Sequence, residues 1–142
     1  MCSDARISML DDRNATVSSK QYINGGTWDR RKNEFGWRCL LGDKAGGEDV
    51  DIYAAPGRAT DLSGLPSTFI DVGSAEVFKD ESVAYASRLW ASGVQAELHV
   101  WPGAYHASDM VALSAKLPII AKETRKAWVC RTLGIRAAKE EI

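Results

Sequence analysis

Two stretches of the chain carry the hydrophobic pattern of β-strands. Residues 67–73 (STFIDVG) are rich in β-branched and aromatic side chains and end at a glycine, which predicts a strand. Residues 96–101 (AELHVW) alternate between two faces, which predicts a second strand. A shorter apolar stub at Ile7, Met9 and Leu10 could form one more short strand.

Helical spacing precedes the first of these two strands. A helix is expected after Asp29, because aspartate is a favoured N-cap residue. Phe35, Cys39 and Leu40 fall at helical spacing and predict its apolar face. Gly42 follows as a candidate C-cap.

Further helical patterns lie between and after the two strands. Residues 80–92 predict a helix, with Val83, Ala86 and Trp90 on one face. Two more helices are expected, one after Asp109 and one from about residue 118. Residues 42–66 have no clear period and are too long for a plain loop, which favours a functional or partly structured connection.

The order of these elements predicts an α/β fold. Strand, helix, strand and helix in succession indicate a short parallel sheet of about three strands with right-handed crossovers and flanking helices. In open parallel sheets, functional sites lie at the carboxyl ends of the strands. Residues 74–76 follow the first predicted strand and residues 103–106 follow the second.

Glu76 and His106 are the candidate chemical groups at these strand ends. A carboxylate beside an imidazole fixes the tautomer of the ring and stabilises the imidazolium that forms when histidine takes a proton. The alternative interpretation is that both are ordinary loop residues. The pattern alone leaves both readings open.

Composition narrows the class of protein. The 142 residues carry a formal net charge of −1 and predict a single domain over 1–142, with 135–142 as a loose tail. The balanced charge gives no reason to expect nucleic acid as a partner. No stretch is apolar enough to span a membrane and no secretory signal is visible, so we expect a cytoplasmic protein. Three cysteines and two histidines are too scattered for a metal site, and no cofactor is expected.

Several separate motifs, in order, carry a family resemblance. They are residues 9–14 (MLDDRN), 37–42 (WRCLLG), 53–56 (YAAP), 62–66 (LSGLP), 76–81 (EVFKDE), 85–89 (YASRL) and 97–106 (ELHVWPGAYH). Together they are similar to the C-terminal part of α/β-hydrolase esterases of the hormone-sensitive-lipase-like family. The resemblance covers nearly the whole chain up to Gly134 and implies a partial α/β-hydrolase fold.

The resemblance also implies a chemistry, the hydrolysis of carboxylic esters by a Ser-acid-His triad. His106 then corresponds to the general base and Glu76 to the acid, at a position where the family usually has aspartate. Asp80 is the competing candidate for the acid. We favour Glu76 because it is closer to the strand end, whereas Asp80 resembles a helix N-cap.

The chain departs from the family at the nucleophile. It contains no Gly-x-Ser-x-Gly elbow and no His-Gly-Gly-Gly-type oxyanion loop, both of which precede the 9–14 motif in the family. We therefore expect a truncated hydrolase domain that is inactive alone. The alternative is a non-catalytic module that binds a ligand or a protein on a hydrolase-like scaffold.

Other residues could be mistaken for parts of the site. Residues 42–47 (GDKAGG) resemble an elbow with Lys44 in place of serine, but a helical pattern precedes them, so Lys44 is interpreted as a solvated loop charge. Ser74 and Ser108 lie near the Glu–His pair without being on an elbow. His99 of the second strand is interpreted as a structural or exposed histidine rather than a ligand.

The expected partners follow from the family and from the sheet. The parent family acts on small ester substrates. A partial sheet would also expose an unpaired strand edge, which predicts self-association.

Overall fold

A three-stranded parallel sheet forms the centre of the chain. The computed structural model describes residues 2–6, through their backbone, and residues 9–135. The strands are Cys2–Arg6 (β1), Ser67–Gly73 (β2) and Ala96–Trp101 (β3), in the order β1–β2–β3. All but the first residue of β2 are buried, as expected for a central strand covered on both faces. The prediction of a short parallel sheet with flanking helices is confirmed.

In the part of the chain that the structure describes, five α-helices and two short 3₁₀ segments surround the sheet. The helices are Val17–Gln21 (α1), Arg30–Leu41 (α2), Lys79–Ala91 (α3), Ser108–Val111 (α4) and Lys116–Leu133 (α5). The 3₁₀ segments are Gly42–Lys44 and Pro56–Arg58, and both lie in the long connection before β2. Asp29 caps α2 as predicted, because its side chain accepts a hydrogen bond from the amide of Lys32.

The N-terminal strand lies earlier than the apolar stub suggested. β1 ends at Arg6, and Met9 and Leu10 lie in no strand. Leu10 is instead buried in the core between the sheet and α3. Ile7 lies outside the described residues, as does the expected loose tail apart from Ile135.

The predicted inward face of α2 is wrong. Phe35 is 70% exposed and Leu40 is 63% exposed, whereas Trp37 is 1% exposed. Trp37 packs against Val50 and Ala55 of the connection that follows the helix. This contact, rather than the spacing of apolar residues within α2, decides which face is buried.

α3 packs on the sheet through a different face from the predicted one. Of the three predicted residues, only Ala86 is buried, and it packs with Ile70 and Leu89. Val83 and Trp90 are 37% and 48% exposed. Because β2 ends at Gly73 and α3 begins at Lys79, the loop between them is confined to residues 74–78.

A buried ion pair anchors the long connection of residues 42–66. Arg58 donates two hydrogen bonds to the Asp12 carboxylate, at 2.6 Å and 2.9 Å, and the amide of Gly46 donates a third at 2.7 Å. Burial alone would raise the pKa of Asp12, but these hydrogen bonds and the Arg58 charge together lower it. The connection is therefore partly structured, as its length suggested.

Candidate active site

The loops that follow β2 and β3 are hydrogen-bonded to each other. The amide of Ser74 donates to the carbonyl of Trp101 at 2.9 Å, and the amide of Ala75 donates to the carbonyl of Ala104 at 3.0 Å. The amide of Gly103 donates to the hydroxyl of Ser74 at 2.8 Å. These bonds fix the two loops side by side at the carboxyl edge of the sheet.

Gly73 makes this close approach of the two loops possible. A Cβ atom at this position would lie 2.2 Å from the carbonyl oxygen of Ala104, closer than any side chain tolerates. The absence of a side chain lets the last residue of β2 approach the loop that carries His106. Glycine is thus required here by packing, not by a positive φ.

The structure brings Glu76 and His106 together. Oε2 of Glu76 lies 2.8 Å from Nδ1 of His106, and Oε1 of Glu76 accepts a hydrogen bond from the Gly73 amide at 2.8 Å. Glu76 is 6% exposed and His106 is 8% exposed. With Glu76 ionised, Nδ1 carries the ring proton and Nε2 keeps its lone pair, which is the tautomer that a general base requires.

Side chains that the sequence did not point to complete the surroundings of the imidazole. The rings of Trp28 and Phe78 lie 5.7 Å and 5.2 Å from the His106 ring between centroids. The hydroxyl of Thr27 donates to the backbone carbonyl of His106. Thr27 and Trp28 fall in a polar stretch before α2, and no local pattern there signals a contact with His106.

Asp80, the alternative acid, faces another part of the molecule. Its Oδ2 accepts a hydrogen bond from the amide of Ser18 at 2.7 Å, at the start of α1. The predicted N-cap role of Asp80 is wrong, since Phe78 holds that position and Asp80 lies in the first turn of α3. The carboxylate bonded to His106 is that of Glu76.

Within the described residues, the other candidates from the sequence make no hydrogen bond to the Glu76 or His106 side chain. Within residues 9–135, no serine hydroxyl is hydrogen-bonded to His106. The Ser74 hydroxyl is occupied by the Gly103 amide, and Ser108 begins α4. Lys44 ends a 3₁₀ segment with its side chain 69% exposed. His99 stacks on Trp101 with ring centroids 5.2 Å apart.

A second buried carboxylate lies in the first turn of α3. Oε1 of Glu81 accepts a hydrogen bond from the amide of Leu10 at 2.8 Å, and the residue is 4% exposed. Burial raises the pKa of Glu81 to about 8. Glu81 is therefore mostly protonated at neutral pH and fastens the segment after β1 to α3.

A small cavity lies beside Glu76, and His106 is not among the residues that line it. A cavity of about 40 Å³ is bounded by the ends of β2 and β3, by α5 and by Glu76. This volume suits a water molecule rather than an ester, since ligand pockets usually measure about 300–1,000 Å³.

Among the described residues, no group of three or more His, Cys, Asp or Glu side chains could hold a metal ion. In the same part of the chain, no helix is long and apolar enough to cross a membrane.

A family model and several known proteins match this chain, and the proteins reported below are esterases and a lipase. A family model described as alpha/beta hydrolase fold matches residues 6–110. Esterase LipU of Mycobacterium tuberculosis (strain ATCC 25618 / H37Rv) is 35% identical over 80 residues, a match covering 56% of this chain and 26% of LipU.

Two solved structures extend the comparison to nearly the whole chain. A bacterial heroin esterase superimposes with a TM-score of 0.83 and 37% identity, over 96% of this chain and 43% of that protein. A hormone-sensitive lipase from a metagenome library gives a TM-score of 0.81 over 92% of this chain and 44% of the lipase. At 23% identity the lipase shows the fold alone. The chain thus spans about a quarter of LipU and less than half of either structure.

Proposed function

Because this chain belongs to the alpha/beta hydrolase family, we propose that it supplies the general base and the orienting acid of a carboxylic ester hydrolase. His106 is the base and Glu76 is the acid. The observation that carries this assignment is the 2.8 Å contact between Nδ1 of His106 and Oε2 of Glu76, in a buried position at the carboxyl edge of the sheet.

In this proposal His106 moves one proton in each half of the reaction. Nε2 takes the proton of a nucleophilic serine hydroxyl while the serine oxygen attacks the ester carbonyl. The imidazolium then gives that proton to the departing alcohol. In the second half, water attacks the acyl-enzyme while His106 again takes and returns one proton, and the carboxylic acid product leaves. Glu76 stays ionised throughout and stabilises the imidazolium.

We further propose that the 142 residues alone do not turn over esters. The sequence contains no Gly-x-Ser-x-Gly, and no serine hydroxyl reaches His106 within residues 9–135. The cavity beside Glu76 is also too small for an ester. A nucleophile and an acyl pocket must then come from outside the described residues.

A chimera tests this assignment. The part of the bacterial heroin esterase that precedes its match to this chain is joined to residues 1–142, and hydrolysis of p-nitrophenyl butyrate is measured. An active chimera should lose about 10⁶-fold in kcat with His106→Ala, because the base is removed while binding and the oxyanion donors remain. The isolated chain should match its own His106→Ala variant.

Two outcomes would overturn the proposal. Turnover that persists in the His106→Ala chimera would remove His106 from the role of base. A chimera that folds but shows no turnover would favour a binding module on a hydrolase scaffold.

Self-association and location belong to the same proposal. β1 and β3 are the edge strands of the described sheet, and open edges can pair with a second chain. Size-exclusion chromatography over a range of concentrations should show a fraction of dimer that increases with concentration.

Cys39 and Cys130 are free thiols, which supports a reducing cytoplasmic location.

A further inference from the structure

The loop of residues 22–29, between α1 and α2, contacts both loops that hold the Glu–His pair. The hydroxyl of Tyr22 lies 3.4 Å from the carbonyl of Ser74, in the loop after β2. The hydroxyl of Thr27 donates to the carbonyl of His106, and Trp28 lies against the imidazole. One segment, far from His106 in sequence, therefore touches the backbone and the ring of the same residue.

This 22–29 loop is itself firmly held at both ends. The amide of Arg30 donates to the carbonyl of Tyr22 at 2.8 Å and closes the loop. Asp29 accepts from the Lys32 amide at 3.0 Å with one oxygen and from the Gly25 amide at 3.4 Å with the other. The loop is thus fixed to the N-terminus of α2.

The indole of Trp28 has little freedom to leave the imidazole. It packs beside the buried cluster of Val72, Val77 and Phe78. Gly36 of α2 lies close by, since a Cβ built there would be 3.6 Å from the indole. A side chain enclosed in this way limits the rotation of the ring it touches.

The backbone next to His106 gives the Thr27 contact a particular purpose. Ala107 has φ 58° and ψ 23°, a left-handed conformation that costs an alanine about 1 kcal/mol or more. The carbonyl that Thr27 binds belongs to the peptide between His106 and Ala107. The hydrogen bond therefore restrains a peptide plane whose rotation would relieve that strain and shift the loop that holds the imidazole against Glu76.

We propose that the 22–29 loop positions the base, with Thr27 holding the His106–Ala107 peptide and Trp28 holding the ring. Thr27 and Trp28 are positioning residues, since they act through His106 and not on a substrate. The proposal rests on the proposed function only in calling His106 the base. The geometry that it describes can be measured on the 142-residue chain without any ester.

The test follows the Nδ1 proton of His106 by NMR. A proton shared with a carboxylate resonates far downfield and exchanges with water only when the site opens locally. Thr27→Val keeps the shape of the side chain but removes the donor. Exchange of the Nδ1 proton should become about tenfold faster, the effect of one ordinary hydrogen bond. Thr27→Ser, which keeps the hydroxyl, should exchange like the unchanged chain.

Two controls separate positioning from general stability. Thr60→Val removes an exposed threonine hydroxyl from the long connection and should leave the rate unchanged. The amide of Ile70, in the centre of β2, reports global unfolding in the same spectra.

Each result decides the proposal. Faster exchange at His106 with an unchanged rate at Ile70 supports it. No change at His106, or an equal acceleration at both sites, overturns it. If the unchanged chain shows no downfield proton, the Glu76–His106 pair of the proposed function fails as well. A proton that is present but insensitive to Thr27→Val removes only the positioning role.

Discussion

Two places in the molecule each bury one glutamate, in contrasting surroundings. One is the corner formed by the loops after β2 and β3, and the other is the first turn of α3. In the corner, Glu76 uses one oxygen for the Gly73 amide and the other for the His106 ring. In α3, Glu81 accepts a hydrogen bond from the Leu10 amide, and no side chain of residues 9–135 pairs with it as a cation. The two residues are equally hidden from water, at 6% and 4% exposure.

The partner, not the degree of burial, separates the two sites. A buried carboxylate without a cation is costly to ionise, and burial accordingly raises the pKa of Glu81 to about 8. An imidazole beside a carboxylate can instead accept a proton and form an ion pair with it. Glu81 is thus a neutral carboxyl group that links α3 to the segment after β1, whereas Glu76 lies where it can stabilise a positively charged imidazole.

Of the changes that test this comparison, replacing the Glu76 carboxylate by an amide should have the largest effect. In the heroin esterase chimera, Glu76→Gln should lower kcat about 10³- to 10⁴-fold, because a neutral amide neither selects the correct tautomer nor stabilises the imidazolium. Asp80→Asn is the matched control, since the amide oxygen can still accept from Ser18, and kcat should stay close to unchanged. The reverse ranking in the p-nitrophenyl butyrate assay would make Asp80 the acid.

A second large effect is expected from closing the space between the two loops. Gly73→Ala should lower the free energy of unfolding by about 3 kcal/mol or more, because its Cβ would overlap the backbone of Ala104. Gly36→Ala is the control. Its Cβ would be close only to the flexible end of Met9, at 3.1 Å, and would lie at an ordinary contact distance of 3.6 Å from the Trp28 indole. Alanine is also better than glycine inside a helix by about 0.5–1 kcal/mol. Urea denaturation of both variants measures the difference, and equal stability would refute the tight corner.

A pH-dependent effect distinguishes the α3 site. The folded pKa of Glu81, about 8, lies above the ordinary value of 4.5, so the folded chain keeps a proton that the unfolded chain has released. Glu81 therefore lowers stability as pH rises from about 4.5 to about 8, by up to about 1.4 kcal/mol per pH unit.

Glu81→Gln should remove this pH dependence. The amide keeps an acceptor for the Leu10 amide and cannot ionise. The free energy of unfolding of the variant, relative to that of the unchanged chain, should thus increase steadily between about pH 5 and 7.5. This range lies inside the window between the two pKa values of Glu81, 4.5 and about 8. Urea titrations at each pH measure the difference. A difference that is constant with pH would show that Glu81 is ionised in the folded chain.

The weakest link of the corner should show the smallest effect. The hydroxyl of Tyr22 lies 3.4 Å from the Ser74 carbonyl, near the limit of a hydrogen bond. Tyr22→Phe should therefore change the free energy of unfolding by about 0.5 kcal/mol or less. A loss well above this in thermal denaturation would mean that Tyr22 carries much of the link between the 22–29 loop and the corner.

The sequence was informative where a pattern is local. The β-rich run of residues 67–73 and the alternation of residues 96–101 predicted β2 and β3 with the bounds observed. Parallel strands end at the same edge of a sheet, so Glu76 and His106 could be expected to lie close together.

The sequence was misleading where long-range packing decides. Phe35 and Leu40 looked like a core face, but the loop after α2 covers Trp37 instead. Thr27 and Trp28 reach His106 only because α2 and the sheet bring distant segments together. No pattern within residues 17–27 could show that contact.

Glu76 and His106 should form their carboxylate–imidazole pair in this chain by itself. The most direct measurement is the proton NMR spectrum of the 142-residue chain beside its Glu76→Ala and Asp80→Ala variants. We expect a far-downfield His106 Nδ1 proton in the unchanged chain and in Asp80→Ala, and its loss in Glu76→Ala. A downfield proton that survives Glu76→Ala, or is absent from the unchanged chain, would contradict the account.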